Sequence, residues 1–221
     1  MVKKTILTKN QQLLLNEIGK NKAISEAFYL GGGTALAEFY LKHRLSEDLD
    51  FFTENEFDPL SISAFLKSIQ KKMKITKIDY QQSFNRNLFF ITIGKDIIKT
   101  EFTYYPFPRI ESKLTMNGMA IDSLLDIAVN KVFTIYQKPR SRDFIDLYLI
   151  IKKTGWKMSD LIKKAKAKFD YYIDLLQLGT QFVRATEVED FPKMLIKLPH
   201  SGWQKFFLLE SEKFGKNILK P

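Results

Sequence analysis

Phe28-Tyr29-Leu30-Gly31-Gly32-Gly33-Thr34, with Asp48-Leu49-Asp50 downstream, is the stretch whose reading decides the fold. Phe28 to Leu30 is a short apolar run, which reads as a buried strand, and the glycines after it demand a tight turn. From Thr34 to Lys42 the pattern turns helical, because Ala35, Leu36, Phe39 and Tyr40 make one apolar stripe. Strand, glycine turn and helix together place unhindered backbone N–H groups at a helix N-terminus, where they can cradle an anion. The Thr34 hydroxyl is available either to cap that helix or to bond a phosphate. Leu49 to Thr53 reads as a second strand. Residues two apart on a strand share a face, so the Asp48 and Asp50 carboxylates stand ~7 Å apart on one side. Hard oxygen ligands of this kind select Mg²⁺ or Mn²⁺. No Gly-Lys-Ser/Thr follows the glycines, so this is not a Walker loop, and the G-x-G-x-x-G dinucleotide spacing is absent.

Upstream, residues 8–20 read as a helix capped by Thr8, with Leu13, Leu14 and Ile18 at helical spacing. Downstream, Asp58-Pro59 starts a helix running to about Met73. Three strands follow, near 74–82, 87–94 and 97–105, and Asn85-Arg-Asn87 and Gly94-Lys-Asp96 serve as the turns of a meander. Residues 109–121 add a short extended segment. Asp122 or Ser123 then caps a helix to about Gln137, and helices are predicted at 141–153, 159–185 (broken once) and 201–219. The order is an α+β half with an α/β core, followed by a helical half. The expected division is therefore 1–121 and 122–221.

The composition suits this reading. Of 221 residues, 45% are hydrophobic and 19 are Phe, enough for a sizeable core. The absence of Cys excludes disulfides and thiolate metal sites, and only two His, His43 and His200, argue against a histidine-rich zinc centre. The formal charge of +10 either attracts a polyanion such as RNA or DNA or reflects a solvated lysine-rich surface. No apolar run approaches a membrane span, and the start lacks the apolar stretch of a leader, so a soluble cytoplasmic protein is expected.

Further pieces complete a motif set. Gly33-Thr34-Ala-Leu36 is followed by His43-Arg44-Leu-Ser46-Glu-Asp48-Leu-Asp50-Phe-Phe; then come Asp126-Ile-Ala-Val-Asn-Lys131 and Arg140-Ser-Arg142-Asp143-Phe-Ile-Asp146-Leu147. Together they resemble the AbiEii/AbiGii toxin family of nucleotidyltransferases over about residues 26–151. The resemblance implies the nucleotidyltransferase fold, a mixed sheet with flanking helices and a helical C-terminal part that completes the active site. It also implies a bound nucleoside triphosphate, a divalent ion (Mg²⁺ or Mn²⁺), and the toxin half of a bacterial toxin–antitoxin or phage-defence pair with a cognate antitoxin protein. The implied reaction is transfer of a nucleoside monophosphate to RNA, the tRNA 3′ end foremost. A small-molecule or protein hydroxyl as acceptor, and a non-catalytic nucleotide-binding module, are the alternatives.

On that resemblance Asp48, Asp50 and Glu101 are the metal-binding and catalytic carboxylates. Read by itself, Glu101 shares a strand face with Lys99 and Thr103, and is either the third carboxylate that takes the proton from the attacking hydroxyl or a solvated strand residue. Gly32, Gly33, Thr34, Arg44 and Ser46 are expected on the nucleotide side. Arg44 either forks a phosphate or pairs with Glu47 or Asp48. Lys131 lies beside a core-facing stripe and needs an anion there, a triphosphate or a buried carboxylate. Asp143 and Asp146 share a helical face. They complement the helix dipole, pair with Lys131 or Arg142, or support catalysis, Asp143 directly and Asp146 behind it. Lys131, Arg142 and Asp146 are placed with the nucleotide-binding residues, and Lys131 with the catalytic ones as well. Finally, Lys152, Lys153, Lys157, Lys163, Lys164 and Lys168, with Phe169, Tyr171 and Tyr172, are either an RNA track or a solvated helix face.

Overall fold

The computed structural model describes residues 5–218 apart from 113 and 117, with only the backbone described for 215–218. The chain divides into two compact units. One takes the chain up to Lys42 and resumes it from Ser46 to Ser123; the other takes His43–Leu45 and everything from Leu124.

The first unit is a seven-stranded sheet with helices. Helix α1 (Lys9–Lys20) starts on a reciprocal cap between Thr8 and Gln11 and buries Leu14, Leu15 and Ile18. Helix α2 (Lys22–Ala27) follows, capped by Asn21. Strand β1 (Tyr29–Leu30) runs into α3 (Gly32–Ala35), which continues as a π-helical turn over Leu36–Leu41. The helix therefore starts inside the glycine run, two residues earlier than the apolar stripe suggests, because glycine at position 32 can take φ +65. It ends at Lys42 in the left-handed region. Strand β2 (Leu49–Thr53) is next, then α4 (Pro59–Ser68) with Asp58 as its cap and α5 (Gln70–Met73).

Strands β3 (Ile75–Ser83), β4 (Arg86–Ile93) and β5 (Asp96–Tyr104) form the expected meander. Its first turn is tighter than the sequence suggests: Arg86 and Asn87 belong to β4, and only Phe84 and Asn85 lie between the paired residues Ser83 and Arg86. Phe84 makes this possible by adopting φ +51. The segment expected at 109–121 is a hairpin, β6 (Leu114–Met116) and β7 (Met119–Ile121). The sheet order is β3-β4-β5-β2-β1-β7-β6. It is mixed, since β2 runs parallel to β5 and β1 parallel to β7, while β1 and β2 are antiparallel. Strict alternation sorts the side chains. Leu49, Phe51, Phe89 and Phe102 are fully buried on one face, with Phe51 and Phe102 stacked at 4.8 Å, which leaves Asp48, Asp50, Lys99 and Glu101 on the other.

The second unit is helical: α6 (Leu124–Gln137), α7 (Ser141–Thr154), α8 (Met158–Phe169), α9 (Leu175–Val183) with a 3₁₀ turn at Arg184–Thr186, and α10 (His200–Ile218). The stretch predicted over 159–185 is broken at Asp170, which adopts φ +44. Phe144, Phe182, Trp203 and Phe207 are fully buried, and the Phe207 ring sits 4.8 Å from Phe144 and 5.1 Å from Phe182. Aromatic burial on this scale is the main apolar contribution to the unit. His43–Leu45 joins it by strand-like pairing: Leu45 N donates to Lys193 O at 2.9 Å and Leu195 N to His43 O at 2.8 Å.

Candidate active site

Two groups of candidate side chains emerge, one in each unit. In the first unit the glycine turn meets the second strand. Gly31 N donates to the Asp50 carbonyl at 2.9 Å, and the first helical bond runs from Ala35 N to Gly31 O at 3.3 Å. The N–H groups of Gly32, Gly33 and Thr34 thus stand ahead of the helix's own ladder, free to face an anion. Glycine is required twice. A Cβ at Gly32 would stand 2.7 Å from Asp50 Oδ2, and one at Gly31 would stand 2.9 Å from the Phe52 ring. Thr34 is fully buried. Its hydroxyl makes no cap but donates to the Asp48 carbonyl, so it ties the turn to the chain entering β2.

The carboxylates occupy neighbouring registers. Asp50 on β2 pairs with Glu101 on β5, and paired residues of parallel strands point to the same face, with strands ~4.8 Å apart. Each outer carboxylate is met by a cation. Lys99 Nζ lies 2.6 Å from Asp48 Oδ2. Arg86 forks Glu101, with Nε to Oε1 at 2.6 Å and Nη2 to Oε2 at 2.5 Å. Thr103 Oγ1 adds a bond to Glu101 Oε1 at 2.9 Å. Burial opposes ionisation of Glu101, but the Arg86 and Thr103 hydrogen bonds and the nearby Arg86 and Lys99 charges outweigh it and lower its pKa. The hydrogen bond to Glu101 raises that of Arg86, with further help from the charges of Asp50 and Asp48. Glu101 is therefore an ionised, buried carboxylate beside Asp50 rather than a solvated strand residue.

A divalent ion suits this donor set in chemistry: the oxygens are hard, and Mg²⁺ asks the protein for only one or two carboxylates because it keeps several waters. Lys99 and Arg86 supply the positive charge that such an ion would otherwise bring. Among the described residues no three His, Cys, Asp or Glu side chains are grouped so that they could hold a metal ion. The group is an open row of carboxylates along the sheet.

In the second unit Lys131, Asp143 and Asp146 come together with His43 and Arg44. Lys131 Nζ lies 2.6 Å from Asp143 Oδ1 and 2.8 Å from Asp146 Oδ2. Buried carboxylates are thus the anions that this lysine needs. Arg44 was expected either to fork a phosphate or to pair with Glu47 or Asp48. It is buried, and its fork is taken by Asp146. Asp146, fully buried, is the hub, and Asp143 flanks it, with Oδ2 buried and making no hydrogen bond. Burial disfavours charge on Asp146, yet Lys131, Arg44 and the His43 hydrogen bond hold its pKa well below the aspartate range. Burial likewise works against the Lys131 ammonium, and Asp143 and Asp146 outweigh it to raise its pKa. Arg142 and Ser46 are half-buried.

Three members of these groups were missed in sequence: His43, Arg86 and the Lys99–Asp48 pairing. Only Lys99 left a signal, its shared strand face with Glu101. One expected member falls out. Lys168 is buried, 2.7 Å from the fully buried Asp126, so it cannot belong to a surface track. Phe169 is buried with it. The exposed remainder is Lys152, Lys153, Lys157, Lys163 and Lys164, with Tyr171 and Tyr172, and Lys166 Nζ lies 5.1 Å from the centre of the Tyr172 ring.

Residues 14–209 match the family described as nucleotidyl transferase AbiEii toxin, Type IV TA system. A protein of Aquifex aeolicus (strain VF5), aq_aa25, is 35% identical over 167 residues, covering 74% of this chain and 76% of its own. The solved structure of JHP933 from Helicobacter pylori superposes with a TM-score of 0.62 at 19% identity, covering 96% of this chain and 94% of that one. A second H. pylori structure, described as a candidate nucleotidyltransferase, gives the same TM-score and identity and is covered over 97% of its length. The two structures establish the shared fold.

Proposed function

This chain belongs to the AbiEii family of nucleotidyl transferase toxins, and from that premise we propose that it transfers a nucleoside monophosphate from a nucleoside triphosphate to a hydroxyl of RNA, with the tRNA 3′ end as the acceptor to examine first. Membership carries nucleotidyltransferase activity and, as a Type IV toxin, implies an antitoxin partner. Among the described residues no helix is long and apolar enough to cross a membrane.

The observation that carries the reading is the approach of the glycine turn to Asp50, 2.7 Å from where a Gly32 Cβ would stand. An anion-binding backbone and a carboxylate share one spot, the arrangement that a metal-bound triphosphate needs. The Gly32, Gly33 and Thr34 N–H groups hold phosphate oxygens. Asp48 and Asp50 would hold a divalent ion, which would neutralise charge on the triphosphate and on the departing pyrophosphate. The acceptor oxygen bonds to the α-phosphorus as the bond to pyrophosphate breaks. In this reading Glu101, ionised and in register with Asp50, takes the acceptor's proton.

Support for an RNA acceptor comes from exposed Lys163 and Lys164 on α8 and from Tyr172, 76% exposed beneath Lys166; lysines bind phosphates and an open ring stacks a base. The experiment is incubation with labelled CTP, UTP, ATP or GTP, Mg²⁺ and total RNA. Label should enter RNA, require a divalent ion, and vanish in Asp48→Ala. Transfer that persists in Asp48→Ala, or label that never reaches RNA with any triphosphate, would overturn the reading. Lys131→Met separates two roles for that lysine: a raised KM for triphosphate at unchanged kcat marks nucleotide contact, whereas parallel loss of stability and activity marks a structural pair.

A further inference from the structure

The hairpin between β3 and β4 carries Phe84, whose side chain is 96% exposed. Its backbone sits at φ +51, a region that bulky residues enter only at an energetic cost and that tends to be retained where it serves a purpose. The tip is anchored, since Tyr104 N donates to the Asn85 carbonyl at 3.1 Å. Two residues along, Arg86 leaves the hairpin and forks Glu101, although 53% of its own side chain is exposed. Its neighbours in the hairpin, Gln81, Gln82, Ser83 and Asn85, are all exposed. One open ring at a polar hairpin tip, with a cation two residues along the chain, is too small an apolar surface for a protein interface. It matches what a single-stranded nucleotide needs: a stacking face, amide donors and acceptors, and a charge for the phosphate.

Strand order says which strand arrives there. In an in-line displacement the attacking oxygen and the leaving pyrophosphate lie on opposite sides of the phosphorus. The glycine turn lies on the β1 side of β2, whereas β5 and β4 lie on its other side. With the triphosphate on the glycines, the acceptor comes in over β5 and β4. Arg86 and Phe84 stand on that approach, on the order of 15 Å from Asp50 by strand spacing and rise, within reach of the nucleotides just upstream of the reacting end.

We propose that Phe84 and Arg86 form a subsite for the acceptor's single-stranded end, in which Phe84 stacks a base and Arg86 takes the adjoining phosphate. This rests on the transfer reading above. Arg86 acts as a counter-ion for Glu101 until nucleic acid arrives.

The test reads binding without turnover. A single-stranded RNA decamer carrying 2-aminopurine near its 3′ end is titrated into the full-length protein at several salt concentrations. The expected results are quenching on binding, affinity reduced roughly fivefold or more in Phe84→Ala, recovery in Phe84→Trp, and a salt slope lower by about 0.7 in Arg86→Gln, with triphosphate affinity unchanged in the two Phe84 variants. Wild-type RNA affinity in Phe84→Ala, an unaltered salt slope in Arg86→Gln, no binding of the decamer by the wild type, or loss of binding to a protein partner alone would overturn the subsite. A wild-type protein that binds the decamer in this pattern yet transfers nothing to any RNA would sink the transfer reading and leave the subsite standing.

Discussion

Arg44 and Asp146 are 102 residues apart in the chain and form a two-bond fork, Nε to Oδ1 at 2.7 Å and Nη2 to Oδ2 at 2.8 Å. The same carboxylate also takes His43 Nε2 at 2.7 Å and Lys131 Nζ at 2.8 Å. A buried ion network of this kind adds little over a well-packed apolar substitute, but removing one member strands the others. Asp146→Ala leaves two buried cations without their shared anion. We expect it to cost about 3–5 kcal/mol, read by urea unfolding. Arg44→Met should cost less, because Lys131 still answers the aspartate. Equal, small losses for both variants would show that the network is not the tie it looks like.

The same network sets a pH window. Asp146 has its pKa lowered from an ordinary 3.8, so its contribution is complete above that value and fades as pH falls through the depressed one. Lys131 has its pKa raised from 10.5, so its contribution is complete below that value and fades as pH rises through the elevated one. Stability of the second unit should therefore hold between about pH 4 and 10 and fall on both sides. Asp146→Asn should flatten the acid limb, and Lys131→Met the alkaline one. An acid limb that Asp146→Asn leaves untouched would assign acid unfolding to other carboxylates.

Gly32 and Gly94 make a matched pair of probes. Both have positive φ, +65 and +60, so alanine pays a similar backbone cost of roughly 1–2 kcal/mol at either place. They differ in surroundings: a Gly94 Cβ meets nothing within 4 Å, whereas a Gly32 Cβ stands 2.7 Å from Asp50 Oδ2. Gly94→Ala should lower the melting temperature and keep full specific activity. Gly32→Ala should lose on the order of 100-fold in transfer rate, the usual result of displacing a reacting group by about an ångström. Comparable activity in the two variants would mean that Asp50 is not held by the turn.

Local features were legible in the sequence because neighbours cause them. The Thr8 and Asp58 caps, the glycine turn and the strand of Leu49–Thr53 each follow from residues within a few positions. The pairings were not, because they depend on register and tertiary placement. Arg86 reaches Glu101 because it belongs to β4 rather than to the turn and pairs there with Thr103, on the Glu101 face of β5. Arg44 was matched to a phosphate or to acids beside it in sequence, while its partner came from a helix in the other half of the chain. His43, a single histidine among apolar and basic neighbours, gave no sign of a carboxylate contact.

Lys168 shows the opposite failure, a feature visible in the sequence and passed over. Leu161, Ala165 and Lys168 fall at i, i+4 and i+7, so they share a helix stripe, and all three are buried. Lysine clustering masked that stripe. The result is a Lys168–Asp126 pair, 2.7 Å apart, with both side chains fully excluded from solvent. Its desolvation cost offsets much of its attraction, so replacing both members with apolar residues should be tolerated far better than replacing one. Lys168→Met should destabilise by about 3–5 kcal/mol, and Asp126→Leu by a similar amount, while the double variant should recover most of the loss. The same variants separate structure from RNA binding. Lys163→Glu with Lys164→Glu should weaken RNA affinity at unchanged stability, whereas Lys168→Met in combination with Asp126→Leu should preserve both. A double variant that folds stably yet binds RNA poorly would return Lys168 to the surface track that its burial denies it.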